Sequence, residues 1–444
     1  MLRGLVAITV LGLLAVNPAH AAPAPAITVN ERVTHQQMDG FGVSQAFRRN
    51  ELLEALSPAQ QREILDLWFD REKGAGLSIL RLGIGSSPAG SPYDHMVSIQ
   101  PENPGGPDAP PKYVWDGDDN SQVWVAKEAK AYGVKRFFAD AWSAPGYMKT
   151  NGDDKNGGNL LPEWEKAYAN YLLAYTKFYE REGIKITDLG FTNEPDWTAT
   201  YASMRFTPEQ AAQFVKVLGP IAKGNVNLVC CDSFGWNQAK AYTAAIEADP
   251  EARRWVKTHA GHTYASPVDA PLPTSRKTWM SEWNPNGSTW NEAWDDGSGY
   301  DGFTIAQAIH DALTLGDVSA YIYWLGASRG TTRAFMQVDD TAKTYKVSKR
   351  LWAMAAYSRF IRPGAVRVDA SAANPALKVS AFRNTDGSKV IVALNTGTEA
   401  VTWDGVRGRA TAYVTNNDNS LTPSAVTGRT VTLQPRSLTT IVVR

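Results

Sequence analysis

The stretch Ile186-Thr-Asp-Leu-Gly-Phe-Thr-Asn-Glu-Pro-Asp-Trp197 begins as an apolar run and turns abruptly polar at its end. Pro195 cannot donate a hydrogen bond to a sheet, so this pattern predicts a buried strand that ends just before it. Glu194 therefore lies at the carboxyl end of a strand, where parallel α/β folds carry their catalytic side chains. A second strand-like segment, Lys277-Thr-Trp-Met-Ser-Glu-Trp283, places Glu282 at its own end.

Two glutamates on the ends of two buried strands are what glycoside hydrolysis by paired carboxylates requires. The alternative is that both are capping or salt-bridged glutamates at the surface. Spacing alone leaves these two interpretations open.

Around this pair, apolar segments with strand character alternate with amphipathic helices. Ser57-Pro-Ala-Gln60 and Thr207-Pro-Glu-Gln210 mark two helix starts, because a hydroxyl N-cap precedes proline and a glutamine. Eight strands counted from Gly40 predict a (β/α)8 TIM barrel over residues 39–360. A doubly wound open sheet is the runner-up, although it lacks a glycine-rich phosphate turn here. The Gly- and Pro-rich residues 85–120 form a long loop that we expect to be functional.

After residue 360 the pattern changes to short alternating strands at close spacing, and Asp386-Gly387 is a hairpin turn signal. We predict a β-sandwich built from residues 361–444 together with residues 22–38. The fold class is therefore α/β, a TIM barrel with an attached side β-sandwich domain, and the barrel is inserted within the sequence of the sandwich.

Composition argues against several kinds of partner. The 444 residues include 45 basic and 45 acidic side chains, so nothing favours nucleic acid, an anionic membrane or a polyanion. The 15 Trp and 17 Tyr residues are many, and sugar-binding clefts use such rings as flat apolar platforms. A large aromatic core is the alternative for most of them. We expect a monomer.

Residues 1–21 have the three features of a signal peptide. Arg3 supplies the positive end, Leu5 to Val16 is an apolar core too short to span a bilayer, and Ala19-His-Ala21 is a cleavage site. The protein is therefore expected to be secreted, to the extracellular space or the periplasm. No other apolar run reaches membrane length.

Metal and cofactor chemistry have no sequence signature here, and we expect neither. His259 and His262 lie three apart on a strand, hence on opposite faces, and there is no His-Glu-x-x-His motif or EF-hand loop. A serine nucleophile also lacks its Gly-x-Ser-x-Gly turn. The only two cysteines, Cys230 and Cys231, are adjacent, so a vicinal disulfide and two buried thiols both remain open.

In a barrel, the candidate site consists of polar and aromatic side chains at strand ends. These candidates are Arg81, Trp142, Asn193, Glu194, Asp232, His262, Tyr264, Glu282 and Trp324. Arg49, just after the first barrel strand, and Trp236 are also predicted to bind substrate. For Trp142 and Trp324 the alternative to a sugar-facing role is a barrel plug.

At these residues the chain resembles glycoside hydrolase family 30, through Asn193-Glu-Pro195, Trp279-Met-Ser-Glu282 and the inserted barrel. Four further motifs resemble the xylanases of its subfamily 7. They are Gly40-Phe-Gly-Val-Ser-Gln-Ala-Phe47, Trp142-Ser-Ala-Pro-Gly-Tyr-Met-Lys149, Cys230-Cys-Asp232 and Arg362-Pro-Gly-Ala-Val-Arg367. The resemblance runs from Asp39 to the C-terminus.

The resemblance implies a retaining mechanism, in which Glu194 is the acid/base and Glu282 the nucleophile. It also implies that Asn193 binds the sugar 2-hydroxyl and that Arg49 contacts a glucuronate branch. Retention requires the two carboxylates to lie ~5–5.5 Å apart. Glu194 must start protonated, with its pKa raised by Glu282 and by burial. Glu282 must stay ionised, which hydrogen bonds from Arg81, Tyr264 and His262 could support.

The expected function is that of a secreted retaining β-1,4-xylanase acting on xylan or glucuronoxylan. Trp324 is followed by Leu-Gly-Ala-Ser and only then by Arg329, whereas bacterial subfamily 8 glucuronoxylanases carry an arginine-rich stretch there. A strict requirement for glucuronate therefore stays open. The alternatives are an endo-β-1,6-galactanase, a β-glucosidase of the glucosylceramidase type, and a glycan-binding barrel without catalysis.

Overall fold

The computed structural model of the chain describes residues 26–444. The predicted signal peptide over residues 1–21 lies outside the described residues. Within residues 26–444, none of the helices is long and apolar enough to cross a bilayer.

The first strand, β1 (Ile27–Gln37), precedes a closed barrel of eight parallel strands. The barrel strands are β2 (Gly40–Ser44), β3 (Ile79–Ile84), β4 (Arg136–Ala141), β5 (Asp188–Gly190), β6 (Asn227–Ser233), β7 (Val256–His262), β8 (Lys277–Trp283) and β9 (Ala320–Ser328). Strand β9 pairs with both β8 and β2, and these two pairings close the barrel. The predicted fold class is thus confirmed.

Helices surround this barrel: α1 (Asn50–Glu54), α2 (Pro58–Phe69), α3 (Gln122–Ala131), α4 (Glu165–Arg181), α5 (Pro208–Ala222), α6 (Trp236–Ala248), α7 (Pro250–Arg253), α8 (Gly302–Thr314) and α9 (Lys349–Ser358). Two short 3-10 turns cover Gly146–Met148 and Pro162–Trp164. Both predicted helix starts are confirmed, because Ser57 and Thr207 form capping boxes with the glutamines three residues later.

A hairpin that the sequence did not predict extends the barrel sheet. Strand β10 (Ala334–Asp339) pairs in parallel with the outer end of β9, and β11 (Thr344–Val347) pairs back onto β10. Strand β9 therefore runs past the barrel rim, beyond the end predicted at Trp324. Residues 85–120 form a loop without helix or strand, as predicted.

The C-terminal residues form an antiparallel sandwich of a seven-stranded and a two-stranded sheet. Its strands are β12 (Val366–Ala372), β13 (Leu377–Arg383), β14 (Lys389–Asn395), β15 (Val401–Trp403), β16 (Ala410–Thr415), β17 (Thr422–Ser424), β18 (Val431–Leu433) and β19 (Ser437–Val443). Strand β1 pairs antiparallel with β12, so the segment before the barrel lies in the larger sheet. The exact bounds of the two domains remain a prediction.

The barrel interior has an apolar layer with a charged layer next to it. The apolar layer contains Ile79, Phe138, Val229, Ala260, Trp279, Ala320 and Ile322. Two residues further along three of these strands come Arg81, Asp140 and His262, all fully buried. Residues two apart on a strand share a face, so these side chains also point into the barrel. The alternation of side chains along the strands thus places these charged groups inside the barrel, toward its carboxyl end.

Candidate active site

Glu194 and Glu282 meet at the carboxyl end of the barrel, and both are almost fully buried. Glu194 follows β5 with a left-handed backbone (φ 49°), and its N–H donates to the carbonyl of Asp232 at 2.8 Å. Between β7 and β8 the register shifts after Gly261, so Glu282 rather than Ser281 pairs with His262. A carboxylate oxygen of each glutamate and a ring nitrogen of His262 all lie within 4.8 Å of one another.

Arg81 organises the Glu282 side of the site. Its Nη1 donates to Glu282, and its Nη2 donates to Asp140 Oδ2 and Asn193 Oδ1, each at 2.6 Å. The Tyr264 hydroxyl donates to the other oxygen of Glu282 at 2.9 Å. Both Glu282 oxygens therefore accept strong hydrogen bonds, and such bonds favour the ionised carboxylate.

Glu194 has a different set of partners. His262 Nδ1 lies 3.0 Å from Glu194 Oε1, and the Tyr201 hydroxyl donates to Oε2 at 3.5 Å. Burial raises the pKa of Glu194 and the negative Glu282 raises it further, whereas His262 opposes both effects. The two glutamates thus have environments that favour different protonation states.

The expectation that His262 hydrogen bonds to Glu282 is wrong. Arg81 and Tyr264 already use the two Glu282 oxygens, and the His262 ring presents Nδ1 to Glu194 instead. Although burial lowers it, the pKa of His262 rises to about 10 because of the negative charge of Glu282 and the facing carboxylates of Asp232 and Glu194.

Aromatic rings form one wall of the site. The Trp142 ring centroid lies 4.6 Å from the Arg81 guanidinium and 5.6 Å from the Trp324 centroid. Phe47 packs edge-to-face on Trp142 at 5.2 Å and on Tyr201 at 5.8 Å. Trp142 is buried beneath the others, whereas Trp324 is half-buried and Tyr201 exposed. Trp324 and Tyr201 are therefore the rings of this set that a ligand can reach most readily.

Trp236 does not belong to the site, so its predicted role in substrate binding is wrong. The side chain is fully buried, and its indole N–H donates to the carbonyl of Ala270 at 2.7 Å. The ring packs against Gly261 between α6 and the barrel wall, where a Cβ on that glycine would come within 3.4 Å of it. Trp236 starts α6, and an amphipathic helix turns its large apolar side chains toward the barrel.

Arg49 lies beside the site, in a cluster of arginines around Tyr93. The guanidinium carbons of Arg49, Arg48 and Arg329 lie 5.4, 5.8 and 4.4 Å from the Tyr93 ring centroid. Arg49 donates to Asp94 at the tip of the long loop. The structure thus brings together arginines that are far apart in sequence, although they do not touch the two glutamates.

Asp140, Tyr201 and Asn284 contact the site, although they were not among the residues predicted from the sequence. Asp140 accepts from Arg81, and Asn284 Nδ2 donates to the Tyr264 hydroxyl at 2.7 Å. A signal for Asp140 was present, because an acid within the apolar strand Arg136-Phe-Phe-Ala-Asp-Ala141 needs a buried partner. Tyr201 carried no comparable signal, since it lies in an irregular loop.

The cluster of Glu194, His262 and Glu282 offers three atoms that could surround a metal ion. Arg81 and Tyr264 already satisfy Glu282, and a cationic His262 would have to lose its proton before it could coordinate metal. We therefore assign no metal to these residues. Their arrangement suits proton transfer and nucleophilic attack.

Cys230 and Cys231, in β6, are joined in a disulfide, which decides a point that the sequence left open. They directly precede Asp232, at the carboxyl half of the strand. These are the only cysteines of the chain, so the pair leaves no thiol for a bridge to a second chain.

We expect the native protein, denatured without reductant and treated with iodoacetamide, to gain no label in its intact mass. After reduction it should gain two labels, because the chain has two cysteines. Two labels without reductant would contradict the pairing. A covalent dimer on a non-reducing gel would contradict the expectation that neither cysteine bridges to another chain.

A closed (β/α)8 barrel with two adjacent buried glutamates at its strand ends is the arrangement of a glycoside hydrolase. The glycosyl hydrolase family 30 TIM-barrel domain matches residues 38–286, and the family 30 beta-sandwich domain matches residues 364–441. The chain belongs to glycosyl hydrolase family 30.

Similar proteins include xylanases and a glucosylceramidase. The structure of the catalytic domain of xylanase C from Talaromyces cellulolyticus is 37% identical and superposes with a TM-score of 0.87, over 94% of this chain and 99% of that one. Glucuronoxylanase XynC of Bacillus subtilis is 29% identical over 73% of this chain and 79% of its own length. The lysosomal acid glucosylceramidase of mouse is 23% identical over 84% of this chain and 78% of its own length.

Proposed function

We propose that the protein is a secreted xylanase that cleaves β-1,4-xylosidic bonds of xylan or glucuronoxylan with retention of configuration. The observation that carries the mechanism is the short separation of the two glutamates, whose nearest oxygens lie within 4.8 Å. Retaining enzymes hold their carboxyl groups about 5–5.5 Å apart, whereas inverting enzymes need roughly 6.5–9.5 Å to admit a water molecule. Export rests on the signal-peptide pattern of residues 1–21 alone.

In the first step, a Glu282 oxygen attacks the anomeric carbon while Glu194 gives its proton to the departing glycosidic oxygen. The bond to the leaving sugar breaks, and a covalent ester forms between the remaining sugar and Glu282. Arg81 and Tyr264 keep Glu282 ionised for this attack, while burial favours the protonated form of Glu194.

In the second step, Glu194, now a carboxylate, removes a proton from water as that water attacks the anomeric carbon. The ester bond breaks and Glu282 leaves as the free carboxylate, so the enzyme returns to its starting state. Asn193 is suited to assist both steps. Its Oδ1 accepts from Arg81, which turns the amide nitrogen away from the arginine and leaves its N–H groups for the sugar 2-hydroxyl.

The choice of xylan is supported by relatives that are xylanases by name, at 29% and 37% identity. A glucosylceramidase-type activity is the competing proposal, since one similar protein carries that name. Incubation with xylan, glucuronoxylan, β-1,6-galactan, β-1,6-glucan and glucosylceramide separates these possibilities. We expect xylo-oligosaccharides from the first two only, and products from the other substrates alone would reject the xylanase proposal.

Arg49→Ala is expected to lower kcat/KM on glucuronoxylan roughly 10- to 100-fold, with little change on unbranched xylo-oligosaccharides. The guanidinium can hold a carboxylate with two parallel hydrogen bonds, a contact worth about 1.5–3 kcal/mol. Arg49 now pairs with Asp94, which is half exposed at the loop tip, so a substrate carboxylate could take that place.

Arg48→Ala is the matched control, because both edges of the Arg48 fork are already held by Glu51 at 2.7 and 3.1 Å. The measurement is the ratio of kcat/KM on the two substrates. If Arg49→Ala left this ratio unchanged, Arg49 would be removed from branch recognition. A changed ratio in Arg48→Ala instead would move the role to its neighbour.

A further inference from the structure

Asp232 is a buried carboxylate with no hydrogen bond to its side chain among the described residues. The side chain is fully buried, and neither oxygen has a hydrogen-bond partner. Its backbone is left-handed (φ 51°) and forms a bulge, since Cys231 pairs with Ala260 while Ser233 already pairs with Gly261. Bulges often re-aim side chains next to active sites. A buried carboxylate is costly unless a positive charge faces it, so the position of Asp232 calls for such a partner.

The charged group that faces Asp232 is His262. Its Nε2 lies 3.8 Å from Asp232 Oδ1, while its Nδ1 lies 3.0 Å from Glu194 Oε1. The longer contact exceeds a hydrogen bond but is within ion-pair range. One imidazole ring is thus held between the carboxylate of Asp232 and the acid/base candidate, and the Asp232 carbonyl also accepts the Glu194 N–H.

We propose that Asp232 is a positioning residue for the acid/base. Its carboxylate is the counter-charge that keeps His262 cationic, so that His262 donates from Nδ1 to Glu194 Oε1 and the acidic proton stays on Oε2. This role rests on the proposed function, because it presumes that Glu194 is the acid.

The charges of the site balance in this arrangement. Arg81 pairs with Glu282, His262 pairs with Asp232, and Glu194 is neutral and protonated. Asp140 is the remaining carboxyl, and its pKa is raised well above the usual range by burial and by the negative charge of Asp232. The elevated pKa of His262, about 10, agrees with a cation between two carboxyl groups.

Which group donates the hydrogen bond between Glu194 and His262 matters for catalysis. A neutral His262 that keeps its proton on Nε2, the nitrogen facing Asp232, would expose a lone pair at Nδ1. Glu194 would then donate its proton to that nitrogen instead of the glycosidic oxygen. A cationic His262 can only donate, which leaves the Glu194 proton for Oε2, the oxygen that also faces the Tyr201 hydroxyl. The other titratable or charged groups around His262 and Glu194 are Arg81, Asp140, Asp196, Tyr264 and Glu282.

Asp232→Asn tests this role through the leaving group and the pH profile. On xylo-oligosaccharides, which need a proton on the leaving oxygen, we expect kcat/KM to fall on the order of 10- to 100-fold. On 4-nitrophenyl β-xylobioside, whose leaving group departs without a proton, the fall should be less than about threefold. The basic limb of the profile should move about one pH unit lower, because removing a negative charge eases proton loss from the Glu194–His262 pair.

Asp188→Asn is the matched control, since Asp188 is an equally buried carboxylate that pairs with Arg136 at the opposite end of β5. Asp188→Asn should change stability without moving the pH profile or the ratio of kcat/KM on the two substrates. The proposal would be overturned by a folded Asp232→Asn variant in which the ratio of kcat/KM on the two substrates and the basic limb of the pH profile are both unchanged.

The wild-type protein gives a second test, which holds even if Asp232→Asn does not fold. In ¹⁵N-histidine-labelled enzyme at pH 7, both His262 ring nitrogens should have the chemical shifts of an imidazolium, with the signals identified by their loss in His262→Gln. A neutral His262 at pH 7 would overturn the proposal. Glu194→Gln distinguishes failure of the proposed function from failure of the role proposed for Asp232. Full xylan activity in Glu194→Gln rejects the proposed function, whereas a wild-type pH profile in Asp232→Asn rejects only the role of Asp232.

Discussion

Glu282→Ala and Glu194→Ala are each expected to lower kcat/KM on xylan on the order of 10⁴-fold or more while leaving the fold intact. The first variant lacks the attacking oxygen, and the second lacks the proton donor. Each change shortens a side chain that lies at a strand end and not in the apolar barrel interior, so the circular dichroism spectrum should stay unchanged. The exposed Glu399→Ala, in the sandwich, is the control and should keep full activity.

Azide should distinguish the two glutamates. In Glu282→Ala the small anion can occupy the space of the lost carboxylate and attack from that side, so an activated xyloside should give an α-linked azide. In Glu194→Ala the covalent intermediate still forms, and azide should then attack from the opposite side to give a β-linked product. Near-native turnover on xylan by either alanine variant would contradict the assignment of that residue.

Arg81→Met is expected to lower the free energy of unfolding by about 3–5 kcal/mol at neutral pH and to abolish activity. The methionine fills similar space but leaves Glu282 buried without its cation and Asp140 without the hydrogen bond from Arg81. Their pKa values in the folded variant should then exceed those in the unfolded chain. The loss of stability is therefore absent below the unfolded pKa values, near pH 4, grows as the pH rises above them, and is complete only above the raised folded pKa values.

Urea denaturation at pH 7 and at pH 4.5 measures this effect. We expect a smaller difference between variant and wild type at the lower pH. Arg32→Met, an exposed arginine in the sandwich, is the control and should change stability little at either pH. A fully stable, active Arg81→Met enzyme would show that the site does not depend on this buried charge pairing.

Much of the fold could be predicted because two periodicities are strong in this sequence. In the barrel, apolar strands alternate with capped helices. In the sandwich, short strands have apolar and polar residues in alternation. Both domains can therefore be predicted from local sequence pattern alone. The hairpin of β10 and β11 could not be predicted in the same way. It follows β9 without an intervening helix, and its outer strand, Thr344–Val347, is largely exposed and polar.

The strand-end rule selects the right region of the chain but not the contacts within it. Arg81, Glu194 and Glu282 were selected because each lies at or near the carboxyl end of a barrel strand. A register shift between β7 and β8 sets Glu282 opposite His262, yet His262 hydrogen bonds to Glu194 instead, and no local pattern in the sequence encodes either feature. Trp236 was predicted to bind substrate but packs outside the site. A tryptophan at a helix start can pack against the barrel wall as well as against a ligand, and the sequence does not distinguish the two.

The stereochemistry of the first product tests the central claim most directly. Xylan digestion followed by ¹H NMR from the first minutes should reveal the β-anomer of the new reducing end, with the α-anomer growing later by mutarotation. This outcome follows from two displacements at one carbon, as the close pair of Glu194 and Glu282 predicts. Initial formation of the α-anomer would contradict the double displacement and the roles of both glutamates.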